Sequence, residues 1–196
     1  AAISLYDKDS KNIIEDYYKQ VNQVPLGDVC QSMVYFNNKF YIVVNNSSKV
    51  VVVNAATFKI ETTISGFNSP RYFIPVSNSK AYVSDLYDNR LAIVNLSTNI
   101  ISGYIPAVAG TEQMKMVYGK VFVSSLFTDK IYVINSMTDL LTDSIALAYS
   151  PNSICEDKNG MLWIMCSGDS LKQKPSALVQ LNPIDNQVIK SLYFNG

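Results

Sequence analysis

The stretch Ala81–Asn95, AYVSDLYDNRLAIVN, decides the fold, because it reads as a β-strand, a polar turn and a second strand ending on an Asn. The same object recurs as FYIVVNNSSKVVVVN at Phe40–Asn54 and VFVSSLFTDKIYVIN at Val121–Asn135. A looser copy, LWIMCSGDSLKQKPSALVQLN, runs from Leu162 to Asn182. The aromatic residues Tyr41, Tyr82, Phe122 and Trp163 are spaced 41, 40 and 41 residues apart. The closing residues Asn54, Asn95, Asn135 and Asn182 step by 41, 40 and 47, so the last copy carries an insertion of about six residues. A period near forty made of short strands is the signature of β-propeller blades, and an all-β propeller with four-stranded antiparallel blades is the expected fold.

Working outward, each whole repeat divides into strands A to D. Strand A is expected at Ser32–Phe36, Tyr72–Val76, Met114–Tyr118 and Ser153–Glu156. Strand B carries the aromatic of the period, and strand C runs into the closing Asn. Strand D is expected at Phe58–Ile64, Asn99–Ile105, Leu140–Ile145 and Gln187–Leu192. The strand C runs KVVVVN and KIYVIN are almost continuously apolar, as strands buried on both faces are. Blades packed on both sides explain this, whereas a β-sandwich has no reason to repeat every forty residues.

The opening segment Ile3–Tyr18 resembles the C and D strands of a blade, with Asp7 in the place of Asn54, and Lys19–Val29 reads as a connection. The expected division is 1–27 (half a blade and linker), then whole blades at 28–66, 67–107, 108–148 and 149–196. Four blades and a fragment predict an open ring, part of a seven-bladed propeller closed by further residues or by another chain.

Composition narrows the function classes. With 48% hydrophobic and 16% charged residues, the 196-residue chain can bury a substantial core. Sixteen basic and sixteen acidic residues cancel, so no basic stripe marks it for nucleic acid or an anionic membrane surface. No apolar run approaches the roughly 18 residues needed to span a bilayer. Histidine is absent, which removes Ser-His-Asp and Cys-His catalysis and His-ligated zinc from this chain. Cys30, Cys155 and Cys166 show no metal spacing and read as buried small apolar side chains. Asp7-Lys8-Asp9 lacks the Gly and terminal Glu of a calcium loop. Glu112, Asp85 and Asp88 would serve acid/base chemistry only if they converged.

The connections differ in chemistry. A–B and C–D turns are short and rich in Asn, Gly, Ser and Asp, as tight hairpins require. B–C and D–A connections carry larger side chains, and strand alternation puts them on one edge of the sheets. That edge is the expected contact rim. Aligned on the strand B aromatics, Gln31, Arg71, Gln113 and Asn152 share the point where the D–A loop enters strand A. They are candidate ligand donors, with the adjacent Tyr72 and Met114; the competing reading is that they bond neighbouring loops. In the B–C turns Asn46, Tyr87 and Phe127 share one position, and Lys49, Arg90 and Lys130 another. Tyr87 and Phe127 are candidates for stacking on a planar ligand or protein loop, against lying on the adjacent blade. The basic trio reads as a solvated strand start rather than an anion site.

AYVSDLYDNRLAIVN resembles the YVTN-type β-propeller repeat of bacterial and archaeal surface proteins. The combination LGDVCQSM, YIVVNNSSKVVVVN, FNSPRYFIPVSNSKAYVSDLYDNRLAIVNLST, TEQM and SPNS with DKNGMLWIMCSG is similar to the surface propeller lipoproteins of gut Bacteroidetes, which include vitamin B12 binders. The resemblance implies a non-enzymatic module at the cell surface or in the periplasm. It would hold a small nutrient such as cobalamin for an outer-membrane transporter, with no cofactor of its own. Two other functions were weighed: a protein–protein docking disc of a surface complex, and a calcium-dependent propeller hydrolase or lactonase. The axial set of Gln, Arg, Gln and Asn, without carboxylates, argues against the last.

Overall fold

The computed structural model describes residues 1–194. After a small hairpin of β1 (Leu5–Tyr6) and β2 (Ile13–Ile14) comes one short helix, α1 (Tyr17–Asn22). Sixteen strands follow in four groups. The first comprises β3 (Cys30–Phe36), β4 (Lys39–Val44), β5 (Lys49–Asn54) and β6 (Ile60–Ser65). The second is β7 (Pro70–Pro75), β8 (Lys80–Asp85), β9 (Arg90–Asn95) and β10 (Ile100–Pro106). The third is β11 (Thr111–Val117), β12 (Lys120–Ser125), β13 (Lys130–Asn135) and β14 (Leu140–Ala146). The fourth is β15 (Pro151–Glu156), β16 (Leu162–Cys166), β17 (Ser176–Asn182) and β18 (Gln187–Phe194). Each group is one four-stranded sheet with its strands in chain order, and β1–β2 form a separate two-stranded sheet. Where the pairing is resolved it is antiparallel throughout.

The repeated Asn has a local physical cause. Asn54 Oδ1 accepts from the backbone N–H of Ala56 at 3.0 Å and Thr57 at 3.1 Å. Asn95 does the same with Ser97 and Thr98, and Asn135 with Met137 and Thr138. Asn182 accepts from Ile184 at 3.0 Å. A short side-chain carbonyl at this place closes the C–D turn by imitating a backbone acceptor. Four residues after each closing Asn the backbone turns left-handed, at Phe58, Asn99, Asp139 and Asn186. Asn and Asp tolerate that conformation and Phe does not favour it. Strand D therefore starts after that residue: Phe58, Lys59 and Asn99, expected in strands, belong to turns. Asp7 matches its sequence role, its carboxylate accepting from Asp9 N–H at 2.9 Å and Ser10 Oγ at 2.6 Å.

The chain forms two compact units, Ala1–Val83 with Ile93–Ser102, and Ser84–Ala92 with the residues from Gly103 onward. In the first, Ile42, Val44, Val51 and Val53 on one face of the first blade pack against Tyr18, Leu26 and Phe58. On its other face Tyr41 stacks on Phe73 of β7, ring centroids 4.4 Å apart. In the second unit, Phe122, Ile131 and Val133 of the third blade form one cluster with Ile154, Ile164 and Val179 of the fourth.

The expectation of a strand running to Tyr18 is corrected by α1. Tyr17, Tyr18 and Val21 follow helical rather than alternating spacing, and all three pack on the first-blade cluster. Six residues cannot hold a helix alone. Here Asn22 clamps it, donating from Nδ2 to the Phe58 carbonyl at 3.0 Å and accepting from the Ile60 N–H at 2.8 Å. The cysteines also depart from the expectation. All three are free thiols, yet only Cys166 is buried, while Cys30 is half-buried and Cys155 exposed. Burial pushes the Cys166 thiol up to about 11.

Candidate functional site

Strand A begins earlier than its apolar pattern suggests, and an irregularity lies inside it. The register slips between Cys30 and Ser32, between Thr111 and Met114, and between Pro151 and Ser153. Gln31, Gln113 and Asn152 therefore sit at β-bulges, where an extra residue re-aims side chains at the end of a sheet. Alignment by repeat placed these residues together, but periodicity carries no signal for a bulge.

In the first unit Gln31 Oε1 accepts from Arg71 Nη1 at 2.9 Å, and Ser32 Oγ donates to the Arg71 carbonyl at 2.8 Å. The sequence aligned Gln31 with Arg71, and the fold brings them into contact across the β3–β7 packing. Tyr72 is half-buried on β7. The first B–C turn is tied down on its polar side: buried Asn45 donates to Ser69 Oγ at 2.8 Å and to the Pro70 carbonyl at 3.0 Å. Asn46 donates to Asp28 Oδ2 at 3.1 Å.

In the second unit Gln113 Oε1 accepts from the Ile154 N–H at 2.8 Å, and the Gln113 carbonyl accepts from Ser124 Oγ at 2.9 Å. Asn152 donates through Nδ2 to Ser167 Oγ, and its Oδ1 accepts from Ser153 Oγ at 3.0 Å. Met114 is buried, paired in register with Val123, and belongs to the core. Gln31, Arg71, Gln113 and Asn152 thus have hydrogen-bond partners between or within blades, the competing role the sequence reading weighed for them.

The B–C turns of this unit behave differently. Tyr87 is 64% exposed and Phe127 51%. Their backbones are nevertheless tightly held. Asp85 Oδ1 accepts from the N–H of Tyr87 at 3.1 Å and of Asp88 at 3.2 Å. Gly110 joins the two turns: its N–H donates to the Leu86 carbonyl and its carbonyl accepts from the Leu126 N–H, both at 2.8 Å. The Phe127 ring lies on Gly110, where a Cβ would come within 2.7 Å of it, and φ there is +81°. Only glycine suits both the conformation and the ring's approach. Sequence reading missed Gly110, since one glycine in a loop has no distinguishing pattern. Below this edge Thr111 Oγ1 accepts from the Asp85 N–H at 2.9 Å and donates to the Asp85 carbonyl at 2.8 Å.

The basic trio lies at the first residue of β5, β9 and β13. Arg90 is exposed, pairs through Nε with Asp88 at 3.0 Å and stacks over Tyr104 at 3.7 Å. Two open cavities, 450 Å³ and 260 Å³, flank Lys174–Pro175 in the inserted loop of the fourth blade. In that loop Lys172 donates to the Tyr149 hydroxyl at 2.8 Å and pairs with Asp169 at 3.0 Å. These contacts raise the ammonium's pKa, the Tyr149 hydrogen bond first. The same lysine holds the Asp169 carboxyl below its usual range. Among the described residues no three Cys, Asp or Glu cluster as metal ligands.

Residues 1–192 match the profile of a family described as a domain of unknown function, DUF5074. The chain belongs to this family. No curated protein matches this family member. Solved structures do. A quinonprotein alcohol dehydrogenase-like protein from Bacteroides thetaiotaomicron aligns with a TM-score of 0.73 at 15% identity, over 99% of this chain and 49% of that one. Hydrazine synthase of Kuenenia stuttgartiensis aligns at 0.72 with 14% identity, over 86% of this chain and 48% of that one. The WD40 β-propeller domain of Doa1 aligns at 0.66 with 10% identity, over 84% and 53%. Identities this low establish the fold, which is that of a β-propeller. The chain spans about half the length of these structures.

Proposed function

We propose that this family member is a non-enzymatic ligand-binding propeller of the cell surface, and that the Tyr87 and Phe127 turns form its contact surface. The observation that carries the reading is the contrast at one sheet edge. The polar candidates there are engaged in hydrogen bonds, while two aromatic rings stand in solvent on turns locked by Asp85 and Gly110. Exposed rings on a rigid backbone lose little entropy when they bind, which suits them to stack on a flat, ring-shaped ligand. The likeness to surface propellers that include vitamin B12 binders makes a corrinoid the first ligand to try, with delivery to an outer-membrane transporter as the physiological setting. The complete absence of histidine, and the engagement of the strand A amides, also favour binding over chemistry.

Titration calorimetry of the native gene product with cobalamin tests this reading. Replacing Tyr87 and Phe127 together by Ala is expected to weaken binding by about 1–3 kcal/mol, the scale of stacked aromatic anchors. Gly110→Ala should weaken it too, by moving the Phe127 ring. Equal affinity in the folded double variant and the wild type removes this surface as the corrinoid site. A second reading, docking of a protein partner, has its own observation: Leu171 is 96% exposed at the tip of the inserted loop. Leu171→Asp would then abolish capture of the transporter and leave cobalamin affinity unchanged.

A further inference from the structure

The fourth blade has two unlike faces. Its register pairs Ile154 with Ile164 and Ile164 with Val179, and these side chains enter the cluster shared with Phe122 of the third blade. The same register pairs Cys155 with Trp163, Met165 with Leu178 and Leu178 with Leu192, on the opposite face. That face is apolar and open. Cys155 is exposed, Met165 is 36% exposed, Leu192 is 45% exposed, and Trp163 and Leu178 are half-buried. Lys190 reaches over the Trp163 ring, 5.2 Å from its centroid.

The internal repeat shows what such a face is for. Trp163 holds the position of Phe122 in the third blade and Tyr41 in the first. Phe122 is fully buried beneath the aliphatic face of the fourth blade, and Tyr41 is stacked under Phe73 of the second. In both places the face bearing the period's aromatic is the one that receives the next blade. A solvent-facing sheet would alternate polar outward residues, whereas this one carries five apolar side chains.

We propose that the Trp163 face is the seat of a further four-stranded blade of the same repeat, belonging to a longer propeller of which this chain is about half. Two observations set the occupant: the equivalence with the Phe122 and Tyr41 faces, and the twofold greater length of the propeller structures that align with 99% and 86% of this chain. The incoming blade presents branched aliphatic side chains where the fourth blade has Ile154, Ile164 and Val179.

The face carries its own reporters, an exposed thiol at Cys155 and the only tryptophan of the chain. The test is N-ethylmaleimide labelling of the native gene product, with modification at Cys155 read by peptide mass spectrometry. Labelling in the folded protein is expected to run at least about 100-fold slower than in denaturant, the protection of a site that opens only by local unfolding. Met165→Glu should restore fast labelling and shift the Trp163 emission to the red. A wild-type rate within about threefold of the denatured one, a difference too small to need an opening step, overturns the proposal. So does protection that disappears on dilution as the sedimenting mass halves, because a second copy would then be the occupant. The wild-type rate decides the question even if the Glu variant fails to fold.

Discussion

The first and fourth blades are built from the same repeat but finish their outer faces differently. The first blade turns Phe40, Ile42, Val51 and Val53 toward a local lid: Tyr17, Tyr18, Val21 and Leu26, from α1 and the segment after it. Tyr18 and Leu26 are each only 1% exposed there, and rings from Tyr17, Phe40 and Phe58 meet within 6 Å. The fourth blade leaves Cys155, Met165 and Leu192 in water. A face made of strand-alternating side chains is the same object in both places. Whether it is finished depends on what packs against it, and in the first blade that is a piece of irregular chain rather than another sheet.

The largest expected effect breaks the lid. Tyr18→Ala should cost about 3–5 kcal/mol in urea unfolding of these residues, the range for truncating a buried aromatic. Met165→Ala on the open face should stay within about 1 kcal/mol. Comparable losses from the two would show that the fourth blade's face is already covered. Next, Asn22→Ala removes both hydrogen bonds that fasten α1 to Phe58 and Ile60, leaving a carbonyl and an N–H unpaired. A loss of about 1–3 kcal/mol is expected, and hydrogen exchange confined to residues 17–26 should rise with it. A stability unchanged by this variant would mean the lid is held by its rings alone.

A smaller effect probes a turn shared by every blade. Asn135→Ala deletes the acceptor for Met137 and Thr138 N–H and should cost about 0.5–1.5 kcal/mol, whereas Asn135→Asp should retain most of the stability. The smallest is a pH effect at the open blade. Asp157 Oδ2 accepts from Trp163 Nε1 at 2.9 Å, and this bond, with the Met161 and Asn159 N–H groups, holds the carboxyl below its ordinary range. A depressed carboxylate pKa contributes stability above its unfolded value of 3.8 that is lost as pH falls through the folded value. Trp163 emission should therefore change in the acid range below pH 3.8 and be flat there in Asp157→Asn. A wild-type titration centred at neutral pH would contradict the assignment.

By itself the sequence determined what depends on short-range periodicity: four-stranded antiparallel blades, the strand B aromatics, and the Asn that closes each C–D turn. Each rests on alternation or on a side chain reaching two or three residues along its own backbone, so it is legible without knowing what lies nearby. It also aligned Gln31 with Arg71, since repeat position is itself sequence information. Only the tertiary structure decided which of these groups remain available. Gln31, Arg71, Gln113 and Asn152 are bonded to neighbouring strands and loops, Met114 is in the core, and Tyr87 and Phe127 stay in solvent on turns joined by Gly110. The α1 lid was likewise invisible, because a six-residue helix has too few turns to be stable or periodic and exists only where the first blade packs against it. Partners distant in sequence set both exposure and hydrogen bonding, and one chain read in isolation carries no record of which distant groups will meet.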